Sequence, residues 1–235
     1  MEVIALIIAG GIGSRMGQAI PKQFLTVYDK PIIAYTMEKF ENHPEIDIIA
    51  VVCLDGWEHI LESYAKQYKI TKLKHIFPAG AVGQESIKNG IMGLAEYYDD
   101  DTIVLIHDAI RPNLSKDIIS DCIETTKKQG NAIACIPCQE AMLETKDSIC
   151  SESSYPRDNL KRTQTPQGFR LGIIKNAHKK ATELGIVNSI ASCTLMIEIG
   201  EKVYFSMGSE KNIKLTTLED MEIFKALLNG NKNDT

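Results

Sequence analysis

Glycines and basic residues near the start of the chain have the types and spacing that phosphate binding requires. The glycines lie in Ala9-Gly-Gly-Ile-Gly-Ser-Arg-Met16, and Lys22 follows in Pro21-Lys-Gln23. Glycine lets a backbone approach phosphate oxygens closely, so that its amides can donate hydrogen bonds to the anion. Arg15 adds a two-pronged donor, and Lys22 adds a compact positive charge. The predicted backbone contacts come from Ala9, Gly10, Gly11 and Gly13.

Two other glycine-rich motifs fail on particular residues. A dinucleotide-binding G-x-G-x-x-G would begin at Gly11, but Met16 stands where its third glycine belongs, and no acidic residue ends the second predicted strand in the expected place. A P-loop would need Gly-Lys followed by Ser or Thr, which the segment lacks. A purely structural glycine turn stays open on the glycines alone, and Arg15 and Lys22 count against it.

A carboxylate in the middle of the chain is the candidate metal ligand. Asp108 follows the apolar run Ile103-Val-Leu-Ile106 in the segment His107-Asp-Ala-Ile-Arg-Pro112. The carboxyl ends of parallel strands share one edge of a sheet, which is where ligands gather. Mg2+ takes one or two carboxylates together with phosphate oxygens and water, so Asp108 suits it; a capping or turn-forming aspartate is the alternative. We interpret His107 as a packing or hydrogen-bonding residue.

The elements that must position these residues alternate along the first half of the chain. Short Ile- and Val-rich runs predict strands, and the amphipathic stretches between them predict helices. The predicted strands are Val3–Ile8, Ile46–Cys53, His75–Phe77, Thr102–Ile106 and Asn131–Pro137. The predicted helices are Pro31–Glu41, Trp57–Gln67, Gln84–Tyr97 and Lys116–Lys128. This β-α-β alternation predicts an α/β fold, a Rossmann-like doubly wound mixed sheet with helices on both faces.

The alternation fails over residues 139–161, where a polar, serine-rich stretch predicts a hairpin arm that protrudes from the sheet. Beyond it, helical patterns return, and Thr217 with Asp220 predicts a capping box for the last helix. We expect residues 229–235 to be frayed. The elements predicted in this half are helices Leu171–Leu184, Ile190–Ile197 and Thr217–Leu228, and strands near Val203–Phe205 and Asn212–Leu215.

Composition excludes several classes of partner. The 235 residues are 44% hydrophobic with a formal net charge of -5, which suits one globular domain over residues 1–235. Nucleic acids and anionic membranes usually require a broad basic surface, so we expect neither as a partner. No apolar run approaches the roughly 18 residues of a membrane span, and no signal-peptide pattern is present, which predicts a cytoplasmic protein.

Six cysteines are scattered through predicted strands and helices, which favours reduced thiols over disulfides. Two of them form Cys135-Ile-Pro-Cys138, the spacing of a redox pair or of half a zinc site. No second pair follows in the sequence, and the segment has the pattern of a buried strand rather than of a helix start. We therefore predict a structural role for the pair.

The motifs together resemble one family. Leu6 to Met16, followed by Pro21-Lys-Gln-Phe24, is similar to the signature of the cytidylyltransferases that include 2-C-methyl-D-erythritol 4-phosphate cytidylyltransferase and ribitol-5-phosphate cytidylyltransferase. Further segments fall in the family's order and spacing, so the resemblance spans nearly the whole chain. They are Gly80, Ser86, His107–Pro112, Arg157, Thr165-Pro-Gln167 and Asn212-Ile-Lys-Leu-Thr216.

The resemblance implies transfer of a cytidylyl group from CTP, with Mg2+ on Asp108, to a small polyol phosphate. Arg15, Lys22 and Lys214 would stabilise charge in catalysis, and Gly80, Ser86 and the backbone at Ala9 and Ala109 would bind the base. Arg111, Arg157 and Thr165 would face the acceptor. The resemblance also implies a homodimer, in which the arm packs on a second subunit and Arg157 acts across the interface.

The chain departs from the family's pattern in three places. Asn188-Ser189 replaces a Thr-Asp pair, Gly83 replaces an arginine, and Ala141 replaces a hydroxyl residue of the arm. Gly83 concerns the nucleotide side and leaves another pyrimidine base open, whereas Ala141, Asn188 and Ser189 concern the acceptor side, so we expect an alditol phosphate such as ribitol, arabinitol or glycerol phosphate. A 2-C-methyl-D-erythritol 4-phosphate cytidylyltransferase and a non-catalytic nucleotide-binding homologue stay open as alternatives.

Overall fold

A computed structural model describes residues 1–11 and 20–230 of the chain. The strands are β1 (Val3–Ala9), β2 (Thr26–Val27), β3 (Lys30–Pro31), β4 (Ile48–Cys53), β5 (Leu73–Pro78), β6 (Ile103–Asp108), β7 (Asn131–Pro137), β8 (Met142–Glu144), β9 (Ser153–Tyr155), β10 (Lys161–Arg170) and β11 (Phe205–Met207). The helices are α1 (Ile32–Glu41), α2 (Glu58–Gln67), α3 (Gly83–Leu94), α4 (Lys116–Gln129), α5 (Leu171–Glu183), α6 (Ser192–Glu198) and α7 (Leu218–Gly230). Short 3-10 helices cover Lys22–Phe24 and Arg157–Asn159.

Seven strands form one mixed sheet in the order β11-β7-β10-β6-β1-β4-β5. Strand β1 lies between β6 and β4 and is parallel to both, and β5 continues the parallel part beyond β4. Strand β10 is antiparallel to its neighbours β6 and β7. The predicted α/β mixed sheet is therefore confirmed, and the carboxyl ends of β1 and β6 lie side by side.

Both faces of the sheet are covered, because successive side chains of its central strands point to opposite faces. Ala5 and Ile7 of β1 belong to one core with residues of α1, α2 and α4. Ile4 and Leu6 belong to a second core with residues of α3, α5 and α6. All four side chains are fully buried, as expected of a continuous apolar run in a parallel sheet.

The last helix, α7, packs on the small β2–β3 hairpin through a third core that contains Val27, Leu215 and Phe224. Its predicted capping box is present. The Thr217 amide donates to Asp220 Oδ2 at 2.8 Å, and the Asp220 amide donates to Thr217 Oγ1 at 3.2 Å. This cap fixes the start of α7 next to the segment that carries Lys214. Residues 231–235 lie outside the described part of the chain.

Two predictions about the second half of the chain are wrong. Strand β10 was not predicted, because Pro166 and the polar residues around it break the apolar alternation, and the strand changes register between Thr163 and Gln167. The strand predicted at Asn212–Leu215 does not form. That segment makes no ladder with the sheet and is held instead by particular bonds, such as that from the Leu215 amide to the Ile110 carbonyl at 2.9 Å.

The arm is an antiparallel hairpin of β8 and β9, and all six of its strand residues are exposed.

The six cysteines of the chain are all free thiols. Burial raises the pKa of Cys122 to about 12, and it also raises the pKa of Cys135, which fits structural rather than reactive thiols. Within residues 1–11 and 20–230, no helix is both long enough and apolar enough to cross a membrane.

Helix α3 lies unusually close to the sheet at Gly90, and we expect Gly90→Ala to destabilise the protein. A Cβ there would meet Val52 and Leu6 side-chain carbons at 2.8 and 2.9 Å in the core. Overpacking of this kind costs about 1–3 kcal/mol, which exceeds the gain of about 1 kcal/mol in helix propensity. Urea denaturation measures the change, and Gly230→Ala, which meets no atom within 4 Å, is the control. Equal midpoints for the two variants would contradict the prediction.

His178 in α5 is buried, and neither of its ring nitrogens has a hydrogen-bond partner among the described residues. Burial, with a smaller contribution from Lys88, lowers its pKa from 6.5 to about 4. Between these values the unfolded chain binds a proton that the folded chain does not. This contribution to stability is therefore complete above about pH 6.5 and is lost as the pH falls towards 4.

His178→Leu is expected to make stability less dependent on pH, since leucine takes up no proton and suits a buried position. The loss of unfolding free energy between about pH 7 and about pH 5 should shrink by on the order of 1 kcal/mol. Urea titrations at the two pH values measure it. His59→Leu, at a side chain that is 98% exposed, should leave the loss unchanged. A slope for His178→Leu as steep as that of the unchanged protein would refute the assignment.

Candidate active site

A cavity of about 610 Å³ opens at the edge of the sheet where β1 and β6 end. The glycine-rich segment after β1, the 3-10 helix and the loop before α3 form its walls, together with the residues after β6 and before α7. Of the predicted site residues, it brings together Ala9, Gly10, Gly11, Lys22, Gly80, Ser86, Asp108, Ala109 and Lys214. Gly13 and Arg15 lie outside the described residues.

A second cavity of about 280 Å³ adjoins the first. Two of the predicted acceptor residues, Arg111 and Thr165, line it. The two cavities share four lining residues, which are Ile8, Gly83, Asp108 and Lys214. A carboxylate and an ammonium group therefore lie at the junction of a larger and a smaller compartment.

Asp108 is held between two cations at this junction. Its Oδ2 accepts from Arg111 Nε at 3.0 Å and lies 3.1 Å from Lys214 Nζ. Burial opposes ionisation of the carboxyl group, but the charges of Lys214 and Arg111 outweigh it, so the pKa of Asp108 lies below its ordinary value. Asp108 is therefore an anion in the folded protein.

His107 orients the end of β6 through a chain of hydrogen bonds. Its bonding partners determine which group donates and which accepts in each bond. Its Nε2 lies 3.1 Å from the Arg111 carbonyl, so this nitrogen must carry the proton. Nδ1 then accepts from Thr165 Oγ1 at 3.0 Å, and the same oxygen accepts from the Asp108 amide at 3.1 Å. Burial lowers the pKa of His107 to about 4, so the ring is neutral. Its interpretation as a hydrogen-bonding residue agrees with these contacts.

Gln23 is a site residue to which the sequence analysis gave no role. Its side chain is buried, and Nε2 donates to the Ala9 carbonyl at 2.6 Å and to the Gly11 carbonyl at 3.1 Å. It thus binds both sides of Gly10, where the glycine-rich segment leaves β1. The signal was its place beside Lys22 in Pro21-Lys-Gln23, but a buried glutamine cannot be told from an exposed one by sequence pattern.

Gly10 is needed because the loop before α3 passes very close to it. A Cβ at Gly10 would lie 2.5 Å from the Ala79 Cβ and 3.2 Å from Ser86 Oγ. Ser86 Oγ in turn accepts from the Gly80 amide at 3.0 Å and donates to the Val82 carbonyl at 3.1 Å. Ser86 therefore shapes the wall of the large cavity by ordering the 80–82 loop.

Lys214 lies on a segment that is fixed on both sides. Before it, the Asn212 carbonyl accepts from Arg111 Nη1 at 2.7 Å, and Asn212 Nδ2 donates to the Thr165 carbonyl at 2.8 Å. After it, the amide and hydroxyl of Thr216 donate to Asp220 Oδ2 at 2.7 and 2.8 Å. Asn212 and Asp220 thus position the lysine without lining either cavity.

Arg157 is the predicted acceptor residue that the structure does not bring to the site within one chain. It lies in the 3-10 helix after β9, where its Nη1 donates to the Gln139 carbonyl at 2.9 Å, and it lines neither cavity. Its action across a subunit interface stays a prediction.

Among the described residues, no three His, Cys, Asp or Glu side chains group as metal ligands. Asp108 remains the residue that the sequence analysis predicts to bind a cation.

Neither Asn188 nor Ser189, which replace the Thr-Asp pair, lines the smaller cavity. The Ser189 amide donates to Gln84 Oε1 at 2.6 Å, and the Ser189 hydroxyl donates to Glu198 Oε2 at 2.5 Å. Ile190, which follows, lines the smaller cavity and is 96% exposed. Gly83, in place of an arginine, leaves open space where its Cβ would be.

Comparison with known proteins places the whole chain in one family. The family model described as 2-C-methyl-D-erythritol 4-phosphate cytidylyltransferase matches residues 3–230. A ribitol-5-phosphate cytidylyltransferase of Lacticaseibacillus paracasei is 39% identical over 96% of this chain and 97% of its own. A 2-C-methyl-D-erythritol 4-phosphate cytidylyltransferase of Geotalea uraniireducens is 34% identical over 97% of each chain.

A solved structure gives the same result. The 2-C-methyl-D-erythritol 4-phosphate cytidylyltransferase of Francisella tularensis superposes with a TM-score of 0.76 at 30% identity, covering 95% of this chain and 98% of that one. The resemblance inferred from the sequence motifs is thus confirmed, and the chain belongs to the IspD family of cytidylyltransferases.

Proposed function

We propose that this protein transfers a cytidylyl group from CTP to an alditol phosphate such as ribitol 5-phosphate, releasing pyrophosphate. The observation that carries the proposal is the pair of adjoining cavities with Asp108 and Lys214 at their junction. A transfer between two phosphorylated substrates needs two adjoining binding sites, with charged side chains where the reacting phosphates meet. The larger one would hold the nucleotide and the smaller one the acceptor.

The larger cavity suits a nucleoside triphosphate. Ala9, Gly10 and Gly11 line it with backbone, and Lys22 adds a positive charge beside them. The 80–82 loop, ordered by Ser86, forms a wall with backbone amides and carbonyls that a pyrimidine base can bond. We assign Arg15 to the same triphosphate by its place in the motif, as predicted from the sequence.

The reaction needs no general base, because the acceptor phosphate is already an anion. One of its oxygens attacks the α-phosphorus of CTP, a new P–O bond forms, and the bond to pyrophosphate breaks. Catalysis then depends on bringing two anions together and on stabilising the charge that develops. Lys22 would act at the triphosphate, whereas Lys214 and Arg111 would act where the two substrates meet. His107 is neutral and has both ring nitrogens bonded, which fits a positioning role.

Asp108 would hold Mg2+ together with phosphate oxygens and water. Its ionised carboxylate fits this role, but both of its oxygens are engaged by Lys214 or Arg111 in the free protein. Lys214, with 43% of its side chain exposed, is more easily displaced than Arg111 at 12%. A cation held by Asp108 would supply positive charge against the triphosphate, and Lys214 would contact the phosphates beside it.

An alditol phosphate is favoured over 2-C-methyl-D-erythritol 4-phosphate by a departure from the family's pattern. The acidic residue expected at position 189 is absent, and the serine in its place is bonded to Gln84 and Glu198. The relative named for ribitol 5-phosphate is also the more similar, at 39% against 34% identity. The family description supports methylerythritol phosphate as the alternative acceptor. A non-catalytic homologue is disfavoured because Lys22, Asp108 and Lys214 line the nucleotide cavity together.

The homodimer and the cytoplasmic location belong to the same proposal. The exposed hairpin of β8 and β9 offers Leu143 and Tyr155 to a second subunit, which supports the dimer. The mechanism above uses only groups of one chain, apart from the predicted contribution of Arg157.

An acceptor panel tests the proposed reaction. We expect pyrophosphate release from CTP with ribitol, arabinitol or glycerol phosphate in the presence of Mg2+, and little release from UTP. Activity with methylerythritol phosphate alone would refute the alditol acceptor. CTP binding without turnover on any acceptor would support the non-catalytic alternative instead.

Removal of Lys214 should affect turnover far more than folding. We expect Lys214→Ala to lower kcat by about 100- to 1000-fold, the usual loss of one group that stabilises transition-state charge. The variant should still fold, since the lysine is 43% exposed and Arg111 continues to pair with Asp108. Lys211→Ala is the control, because Lys211 is an exposed lysine three residues away that lines neither cavity. Matching activities of the two variants would remove Lys214 from the mechanism.

Lys22→Ala should likewise lose turnover while the protein stays folded, because this lysine would hold the triphosphate that is attacked. We expect the loss in kcat to be about 100-fold or more. Pyrophosphate release and a thermal melt, measured on the same preparation, separate the two effects. Normal release by a folded variant would exclude this role.

A further inference from the structure

The smaller cavity is lined by two kinds of polar residue, charged and uncharged. Its charged residues are Asp108, Arg111 and Lys214, which are linked to one another by ion pairs. Its uncharged polar residues come from β10 and from the start of α6. They are Thr163, Gln164, Thr165, Gln167 and Ser192, with His107, whose two ring nitrogens are both hydrogen-bonded within the protein.

Ser192 differs from the other buried polar residues of this cavity. His107, Gln164 and Gln167 all make hydrogen bonds with the protein. Ser192 is only 3% exposed, and its hydroxyl has no partner anywhere in residues 1–11 and 20–230. A buried polar group without a partner is costly, so it calls for an explanation.

The backbone around Ser192 is firmly held, so the missing partner does not reflect a loose segment. The Cys193 amide donates to Gln167 Oε1 at 2.9 Å. On the other side, Thr194 Oγ1 accepts from the Ala191 amide at 3.0 Å and donates to the Ala191 carbonyl at 2.7 Å. Ser192 lines the smaller cavity, so a ligand there lies beside its side chain.

We propose that the Ser192 hydroxyl binds a hydroxyl group of the acceptor's polyol chain and is a specificity-determining residue of this enzyme. The inference rests on the proposed function. Arg111 and Lys214 attract the acceptor phosphate to the charged residues, and the chain of the acceptor then lies among the uncharged ones. A neutral hydroxyl matches Ser192 because it can both donate to and accept from the serine.

Ser192→Ala tests the contact. The variant should be as stable as the unchanged protein or slightly more so, because it removes an unsatisfied buried hydroxyl. Its kcat/KM for ribitol 5-phosphate should fall by about three- to tenfold, as expected for one hydrogen bond, while KM for CTP stays the same. Ser206→Ala is the matched control, since it also removes a buried serine hydroxyl but lies in β11, outside both cavities.

A set of monodeoxy ribitol 5-phosphates separates a direct contact from an indirect effect. If Ser192 bonds one hydroxyl, one deoxy acceptor should be used equally well by Ser192→Ala and by the unchanged protein, and the others should keep the difference. A uniform difference across the whole set would overturn the proposal. So would activity of Ser192→Ala equal to that of Ser206→Ala on ribitol 5-phosphate.

Failure of the proposed function would look different. In that case the unchanged protein would form no product from CTP and any alditol phosphate, so the comparison between the two serine variants would have no activity to modify. That result would overturn both the proposed reaction and the role of Ser192. Activity that is present but insensitive to Ser192 would overturn the second alone.

Discussion

The Asp108 carboxylate, held between the Arg111 guanidinium and the Lys214 ammonium group, joins parts of the chain that are far apart in sequence. A carboxylate that is only 24% exposed needs close partners, because removing an ion from water is costly. Arg111 follows in the loop after β6, and Lys214 arrives about one hundred residues later on a segment outside the sheet. The end of β6, the start of β10 and the approach to α7 are therefore arranged around one negative charge, and both cavities share it.

The supporting contacts explain why the site could be predicted only in part. The glycine-rich segment, Lys22 and Asp108 were found because their residue types are chemically distinctive and each follows a recognisable strand or motif. Lys214 was found only through the family resemblance, because it lies about one hundred residues from Asp108 in the sequence. Gln23, Asn212 and Asp220 were given no role in the site, although each of them fixes backbone at the site. A side-chain amide that bonds distant backbone has no periodic signature, so its role depends on the tertiary fold.

The fold, like the site, could be predicted only in part. The parallel strands and their helices were predictable because buried parallel strands have long apolar runs and amphipathic helices follow them. β10 was missed because it contains Pro166 and polar residues that line the site. Its sequence therefore lacks the regular alternation of apolar and polar residues by which strands are predicted. Asn212–Leu215 has the composition of a strand, but its hydrogen bonds go to Ile110, Arg111 and Thr165 instead of to a neighbouring strand.

The reversed direction of β10 brings the arm close in sequence to the smaller cavity. β7 runs towards the edge of the sheet that holds the site and ends at Pro137, and β10 starts back from that edge at Lys161. Both roots of the hairpin are thus anchored at the same edge. Thr163 and Thr165 lie within the first five residues of the returning strand. The hairpin strand β9 is therefore separated from the wall that would hold the acceptor only by residues 156–160, which include the 3-10 helix Arg157–Asn159.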